Sequence, residues 1–276
     1  MNILITGAGG YIGSNLLKHF EEISVYKVSH LCRLTDCRCD KWHFGQPANF
    51  DIVLHAAWPN VAGQFRQNED AQKEGFRFTK RLIENINYKR VKKFVFFGSQ
   101  AEIGNSLSIS DELTERSPKC EYGKYKNHTH QYLQGVLSDN QYVHLIIYSL
   151  FGGNQGANWF IPMILNNAKR NKNFRLNNPH LMMSFVHIND FCEVLKKILN
   201  NDLFGEYIIS SSVTVKIGEI HQFIYSKIYS NNKILYKDWL EDKYLAGNPK
   251  KLIKDIGPFE SIGVHNYIKK YTHEGI

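Results

Sequence analysis

Residues 1–13 read Met1-Asn-Ile-Leu-Ile-Thr-Gly-Ala-Gly-Gly-Tyr-Ile-Gly13. An apolar, β-branched run ends at Thr6, glycines follow at positions 7, 10 and 13, and an amphipathic stretch spans residues 14–22. This order predicts a buried strand, a tight glycine turn and a helix whose N-terminus faces the turn. Glycine permits the unusual φ of such a turn, the close approach of a pyrophosphate and tight packing of the helix on the strand. The free N–H groups and the helix dipole would then hold phosphates, which indicates a dinucleotide site.

The chain has 276 residues, of which 43% are hydrophobic and 22% charged. That length suits one large domain or two closely packed ones with a proper core. The N-terminus has no basic segment followed by a cleavage site, and no apolar run approaches the roughly 18 residues of a membrane span. The sequence therefore predicts a cytoplasmic protein without a membrane segment.

The five cysteines of a cytoplasmic protein are expected to stay reduced. Cys32, Cys37 and Cys39 lie near His43, a grouping that raises the question of a zinc site. Their spacing matches no paired C-x-x-C knuckle, and no second cluster follows. Ordinary thiols and no metal are therefore predicted.

The formal net charge of +8 favours an anionic partner. The densest basic run, residues 89–93, falls where a helix is expected to end and a strand to begin, and cations there complement the helix dipole. Because the chain has no basic stripe interleaved with aromatic residues, nucleic acid is a poor candidate. An anionic small molecule such as a nucleotide sugar suits the surplus charge.

Strand-like apolar runs alternate with helical patterns along the first half of the chain, and the clearest helix is expected over residues 67–87. This alternation predicts an α/β fold with a Rossmann-type, doubly wound parallel sheet. We expect a dinucleotide-binding domain over 1–150 and a smaller α/β, mainly substrate-binding region over 151–276, interleaved with the first. After the first strand, which ends at Thr6, the expected strands are residues 24–29, 51–55, 93–98 and 145–150.

The end of the second strand usually distinguishes NAD from NADP, because an acid there binds the adenosine ribose and repels a 2′-phosphate. Residues 28–33 read Val-Ser-His-Leu-Cys-Arg and contain no acid. Ser29, His30 and Arg33 are instead suited to hold a 2′-phosphate, with the arginine as a charged fork. NADP (NADPH) is favoured on this ground, and NAD is the alternative.

Seven segments together resemble the extended short-chain dehydrogenase/reductase family of nucleotide-sugar epimerases, dehydratases and reductases. The glycine turn with His55-Ala-Ala57 is similar to the cofactor site of that family, and the resemblance covers nearly the whole chain. Phe94-Val-Phe-Phe-Gly-Ser-Gln-Ala-Glu-Ile-Gly104 resembles the strand and loop that present the catalytic Ser or Thr, here Ser99. The other similar segments are Pro118-Lys-Cys-Glu-Tyr-Gly-Lys-Tyr-Lys126, Phe185-Val-His-Ile-Asn-Asp190 and two C-terminal landmarks, residues 207–215 and 248–257.

The resemblance implies that Ser99, Tyr122 and Lys126 are the catalytic residues. Tyr-x-x-x-Lys also occurs at positions 88/92 and 229/233, but neither follows a serine-bearing strand at a suitable distance. A tyrosine with its ordinary pKa near 10 exchanges protons poorly at neutral pH, and a nearby Lys126 ammonium together with the charge of the oxidised nicotinamide would lower that pKa. Ser99 would donate to the substrate carbonyl where negative charge develops.

The residues after Ser99 narrow the reaction that the resemblance implies. The 4,6-dehydratases of the family carry Asp and Glu at the next two positions, where this chain has Gln100 and Ala101, so elimination of water is not expected. The 3,5-epimerising reductases carry a Cys in this loop and a later His, and this chain lacks that pair. Reduction of a 4-keto sugar and 4-epimerisation through a transient ketone are left. The absent acid after the second strand favours the reductase.

Substrate contacts are expected at Gln100, Asn158, Trp159, Phe160 and Arg175. An aromatic side chain at 159 or 160 could stack on a base, although core packing explains these two residues as well. Two arginines that the family uses are absent, since Met182-Met183-Ser184 and the surroundings of Ile146 hold none. Arg175, Lys169 or Arg170 would then have to hold a diphosphate.

The favoured hypothesis is an NADPH-dependent reductase of a nucleotide-activated 4-keto (deoxy)sugar in surface polysaccharide synthesis. An NAD-retaining nucleotide-sugar 4-epimerase is the alternative, and a non-catalytic dinucleotide sensor is a lesser one. The resemblance also implies a homodimer. The expected cofactor contacts are Gly7, Gly10, Tyr11, Ile12, Gly13, Ser29, His30, Arg33, His55, Ala56, Ala57, Tyr122 and Lys126.

Overall fold

The structure is a computed structural model that describes residues 1–23, 25–31, 40–46, 49–59, 61, 63–172, 174–228, 243–259 and 261–273. Its strands are β1 Asn2–Thr6, β2 Lys27–Leu31, β3 Asp40–Lys41, β4 Ile52–His55, β5 Lys93–Phe97, β6 Tyr142–Ile147, β7 Ser149–Phe151, β8 Met182–His187, β9 Gly205–Ile209, β10 Thr214–Lys216 and β11 Tyr244–Leu245. Its helices are α1 Tyr11–Glu21, α2 Glu69–Asn85, α3 Glu121–Val136, α4 Phe160–Lys169, α5 Ile188–Asn200, α6 Ile217–Ile228, α7 Lys250–Ile256 and α8 Val264–His273.

Seven parallel strands form the larger sheet in the order β3-β2-β1-β4-β5-β6-β9. The order reverses direction at β1, which is the switch point where ligands bind in doubly wound folds. The predicted α/β fold with a Rossmann-type parallel sheet is therefore confirmed. The sheet also draws β9 from the C-terminal half, and the division at residue 150 stays a prediction.

Helices cover both faces of this sheet, and the side chains of β1 show why. Ile3 and Ile5 point to the face covered by α1 and α5, while Leu4 points to the face covered by α2 and α3. All three are fully buried. A strand buried on both faces is a continuous apolar run, as residues 3–5 are, because successive side chains alternate between two cores.

The strand expected over 145–150 is divided between two sheets. β6 ends at Ile147 in the large sheet, and β7 begins at Ser149 and pairs with β8 of a smaller sheet. β8 also pairs with β10 and β11, and a third core cluster packs α4, α6 and α8 around these strands. The chain thus crosses between sheets at Tyr148, and the site described below lies there.

The second strand begins and ends later than the sequence pattern suggests. It spans Lys27–Leu31 instead of 24–29, and its register pairs Ser29 with Leu4 and His30 with Ile5. Among the described helices, none is long and apolar enough to cross a membrane.

Candidate active site

The turn after β1 has the close packing that the three glycines predict. Gly7 has a φ of +71°, and a Cβ atom there would lie 2.6 Å from Cα of Ala57. A Cβ atom on Gly13 would collide with the backbone of Gly7 and reach within 2.8 Å of Cα of Ala8. Side chains at either position would push the helix or the neighbouring strand away from the turn.

The N-terminus of α1 is open toward this turn. Its N-cap residue is Gly10, no side chain caps it, and its first turn has no acidic residue. A helix end without a side-chain cap leaves N–H groups available for an anion. The turn therefore fits the pyrophosphate of a dinucleotide cofactor, and Gly7, Gly10 and Gly13 are the residues that would hold it.

His55 supports the turn from behind. Its Nδ1 lies 2.8 Å from the Thr6 hydroxyl and its Nε2 lies 2.8 Å from the Thr79 hydroxyl. Thr6 Oγ1 also accepts the N–H of Ala57 at 3.1 Å. His55 is fully buried, and burial lowers its pKa to about 3. With both ring nitrogens engaged, the imidazole supports the backbone at Ala56 and Ala57 through Thr6, and the cofactor contact expected at His55 stays a prediction.

The expected 2′-phosphate contacts Ser29 and His30 are not at the end of β2. They lie inside the strand, and the side chain of His30 is fully buried. Ser29 instead lines a cleft with Asn2 and Lys27, the residues at the amino ends of β1 and β2. The prediction is wrong for these two side chains because β2 runs to Leu31. Arg33, like Cys32, Cys37 and Cys39, lies outside the described residues.

Ser99 follows β5 at its carboxyl end and begins a short 3-10 turn, Gln100–Glu102. Its side chain accepts the N–H of Ala101 at 3.2 Å, and its own N–H donates to Glu102 Oε1 at 2.7 Å. Helix α3 packs directly on this turn at Gly123. The approach is so close that a Cβ atom on Gly123 would lie 2.7 Å from the carbonyl carbon of Ala101. The close approach brings the start of α3, and with it Tyr122, beside Ser99.

Tyr122 lies in the first turn of α3 and faces Ser99. Burial raises the pKa of Tyr122, whereas the Arg66 guanidinium and a hydrogen bond with the Ser99 side chain oppose that rise. The Cζ atom of Arg66 lies 4.4 Å from the ring centroid of Tyr122. We expected Lys126 to lower this pKa. In this structure Arg66 is the nearby cation, and the pKa of Tyr122 stays above its ordinary value.

Lys126 lies one helical turn after Tyr122, as the spacing of four residues predicts. Its Nζ atom is 5.9 Å from the Tyr122 ring centroid and donates to the carbonyl oxygen of Phe97 at 2.7 Å. The rings of Trp58 and Phe96 lie 4.1 and 4.7 Å from the same atom. Burial lowers the pKa of Lys126 to about 7.

A cavity of about 280 Å³ opens between the glycine turn, Ser99 and the smaller sheet. Tyr148, Phe185 and Met183 contribute apolar surface at the point where the chain crosses between the two sheets. The predicted residues that line it are Tyr11, Ile12, Ser99, Gln100, Tyr122, Trp159 and Phe160.

Two predicted substrate contacts lie elsewhere. Asn158 and Arg175 are exposed, and neither lines the cavity, although Trp159 beside Asn158 does. The charged residue that lines this cavity is Arg66, within the part of the chain that the structure describes. Nothing in the sequence singles out Arg66, since it precedes α2 in a loop and no spacing relates it to Tyr122.

The cavity lining also limits the chemistry. Among the described residues that line it there is no carboxylate, histidine or cysteine, and Tyr122 with the hydrogen-bonded Ser99 is the pair that the sequence predicts to exchange a proton. One such pair can serve the oxygen of a single carbonyl carbon. Removing a proton from a neighbouring carbon would need a further base.

Comparison with known proteins agrees with this architecture. A family model described as the NAD dependent epimerase/dehydratase family matches residues 3–209. A curated relative, GDP-6-deoxy-D-talose 4-dehydrogenase of Aggregatibacter actinomycetemcomitans, is 22% identical over 283 residues, which cover 93% of this chain and 92% of the relative.

Solved structures of similar fold cover the chain from end to end. UDP-glucose 4-epimerase of Thermotoga maritima, solved with UDP-glucose, has a TM-score of 0.81 at 16% identity and covers 99% of this chain and 98% of its own. A dTDP-glucose 4,6-dehydratase of Streptomyces venezuelae, solved with NAD, has a TM-score of 0.79 at 16% identity, with 100% and 98% covered. Similarity at this identity establishes the fold.

Proposed function

This chain belongs to the NAD dependent epimerase/dehydratase family, and we propose that it is an NADPH-dependent reductase of a nucleotide-activated 4-keto (deoxy)sugar. The observation that carries the proposal is the hydrogen-bonded pair of Ser99 and Tyr122 in a cavity whose described lining has no carboxylate, histidine or cysteine. Dehydration and epimerisation at carbons next to the ketone need an additional acid or base. Reduction of one carbonyl group needs one proton donor.

The state of Tyr122 supports the direction of reduction. Because burial raises its pKa, the phenol carries its proton at neutral pH and can donate it. Ser99 donates a hydrogen bond to the carbonyl oxygen as negative charge develops there, an effect worth about 3–4 kcal/mol for a well-placed donor. Tyr122 then transfers its proton to the same oxygen, and solvent restores the phenol.

The bound nicotinamide supplies the hydride that forms the new C–H bond. Lys126 and Tyr122 would hold its ribose, while the glycine turn and the N-terminus of α1 would hold its phosphates. A preference for NADPH rests on the absence of an acid directly after β2, where residues 32–35 read Cys-Arg-Leu-Thr, with Arg33 as the residue proposed to meet the 2′-phosphate.

A nucleotide sugar as substrate fits the positive charge of the chain and the aromatic residues of the cavity. Trp159 is 46% exposed at the cavity rim, where it could stack on a base. The curated relative is described as a 4-dehydrogenase of a GDP-linked deoxysugar, which is the same reaction class in the opposite direction. We also propose a cytoplasmic location, a homodimer and a role in surface polysaccharide synthesis.

The test is a panel of 4-keto nucleotide sugars, generated in situ by dehydratases and offered with NADPH or NADH. The expected result is loss of nicotinamide absorbance at a rate that depends on the sugar, with NADPH preferred. Protein that carries bound NAD and interconverts sugar epimers without a net absorbance change would establish the alternative, a 4-epimerase. No turnover and no dinucleotide binding at all would overturn both.

A further inference from the structure

A buried network of ion pairs begins directly beneath Ser99. Glu102 is fully buried although it is a carboxylate, and its Oε1 atom accepts the N–H of Ser99 at 2.7 Å. Its Oε2 atom lies 3.3 Å from Nε2 of His144, which is also fully buried. A carboxylate without exposure persists in the charged form only if cations and donors compensate it.

The ion-pair network continues across the sheet to half-buried residues. His144 on β6 lies 2.8 Å, through Nδ1, from Oε2 of Glu206 on β9, and Arg116 forms an ion pair with the same oxygen. Arg116 also donates to Asn127 at 3.2 Å. The pKa of His144 is raised, since the two carboxylates outweigh the effect of burial, and the pKa of Glu206 is lowered to about 2. Two carboxylates thus face two basic groups, His144 and Arg116.

This cluster does not have the geometry of a metal site. Ligand atoms of His130, His144 and Glu206 lie within 4.8 Å of one another. However, the two imidazole rings stack with centroids 4.1 Å apart at 18°, so their nitrogen lone pairs do not converge on one point. The Arg116 guanidinium already engages the Glu206 carboxylate, and a second cation there would be repelled.

Gly98 allows the ion-pair network to pack closely against the candidate site. A Cβ atom at Gly98 would lie 2.5 Å from Oε1 of Glu102 and 3.0 Å from Cδ2 of His144, so only glycine leaves room for this pair next to the end of β5. Lys126 reaches the same segment from α3, because its Nζ donates to the carbonyl oxygen of Phe97, the residue before Gly98, at 2.7 Å. The charge of Glu102 also acts on groups of several packed elements. They are His144, Arg116, Tyr122, Lys126, His130 and Tyr142.

We propose that Glu102 is a positioning residue of the candidate site: held by His144, Glu206 and Arg116, its carboxylate fixes Ser99 at the end of β5 and is the buried counter-charge of Lys126. This inference rests on the proposed function for its kinetic part only. The side chain of Glu102 does not line the cavity, and it acts through Ser99 and Lys126.

The first test uses the protein without substrate. Lys126 Nζ lies 4.1 Å from the Trp58 ring centroid, so its ionisation near pH 7 can be followed as a pH-dependent change of tryptophan fluorescence that is absent from Lys126→Met. In Glu102→Gln we expect the midpoint to move to lower pH by about half to one pH unit, because the negative charge that favours the ammonium is gone. An unchanged midpoint would overturn the proposal and leave the reductase hypothesis untouched.

Glu112→Gln is the matched control. Glu112 also accepts a backbone N–H, from Ile208 on β9 at 3.0 Å. It is not a member of the ion-pair network of Glu102, His144, Glu206 and Arg116. Its midpoint should stay that of the parent protein. A shift of the same size in both variants would mean that losing any carboxylate bonded to a backbone N–H has this effect, and it would count against a specific role for Glu102.

The second test separates positioning from mere stability. The double variant Glu102→Leu/His144→Phe removes one charge of each sign and should recover folding that a single variant loses. With the 4-keto substrate that turns over, we expect kcat to stay about tenfold to a hundredfold lower in this folded variant while KM changes little, because Ser99 is no longer fixed. If kcat recovers fully together with stability, the ion-pair network has only a structural role, and the proposal is overturned.

Discussion

The Nζ atom of Lys126 lies 4.1 Å from the centroid of the Trp58 ring. The aromatic face partly compensates the ammonium for the water it loses, and the carbonyl oxygen of Phe97 accepts one of its hydrogens. This compensation is incomplete, since the pKa of Lys126 is lowered to about 7. The protein thus keeps an ammonium in a place that costs stability, which is typical of a group retained for function.

Lys126→Met should therefore stabilise the protein and abolish reduction. Removing the buried ammonium is expected to raise the free energy of unfolding by about 1–2 kcal/mol at pH 6. The unfolded chain holds the lysine proton up to its ordinary pKa of 10.5, whereas the folded protein releases it near 7. The stability of the parent protein therefore rises with pH between these two values, and the stability difference between Lys126→Met and the parent becomes smaller. Urea unfolding at pH 6 and pH 9 checks the sign.

Tyr122→Phe should still bind the dinucleotide, through the glycine turn and Lys126, and lose reduction by about 10²–10⁴-fold, because the proton donor is gone. Tyr125→Phe is the control, since Tyr125 is on the same helix and its hydroxyl donates to Glu69 at the surface. Cofactor titration by fluorescence and initial rates on the reactive 4-keto sugar measure the two effects. A fully active Tyr122→Phe would refute the assignment.

Gly13→Ala should disrupt the phosphate turn, because the added methyl group meets the backbone of Gly7 and Ala8. We expect a loss of about 1–3 kcal/mol of stability together with weaker dinucleotide binding. Gly135→Ala on α3 is the matched change, since a Cβ there meets nothing within 4 Å and helix propensity favours alanine by about 1 kcal/mol. Thermal unfolding with and without cofactor compares them.

His55→Gln should reduce the acid sensitivity of the fold. The folded protein keeps His55 neutral down to a pKa of about 3, whereas the unfolded chain takes up the proton below 6.5. Parent stability consequently falls as pH drops between these values, by up to about 1.4 kcal/mol per pH unit from this group. The variant should be less stable at pH 8, through loss of the bonds to Thr6 and Thr79, yet show a shallower decline toward pH 4. His43→Gln, an exposed histidine, should leave the slope unchanged.

Local signals predicted the parts of the site that are local in sequence. The strand, glycine turn and helix of residues 2–21 follow from periodicity and glycine spacing, and Tyr122 and Lys126 share a helix because they are four residues apart. The limits of β2 were wrong by two to three residues, because Val28-Ser-His-Leu31 alternates weakly and pairing with β1 decides its register. That error changed the expected role of Ser29 and His30.

Long-range pairs had no sequence signal. Arg66 contacts Tyr122, which is 56 positions later in the sequence. Glu102, in the turn after β5, contacts His144 on the neighbouring strand β6. Each pair exists only once the sheet order is formed, and a single sequence carries no trace of it. The ion-pair network that receives the carboxylate of Glu102 could therefore not be foreseen from the sequence.

The contribution of β9 to the large sheet has a consequence for dissecting the molecule. A fragment ending at residue 150 would present β6, whose six residues are all buried in the intact protein, as an open apolar edge. Such an edge pairs with other chains, so the fragment should self-associate instead of folding as an independent cofactor module. Any graft of the dinucleotide half onto another protein must therefore carry α5 and β9 with it.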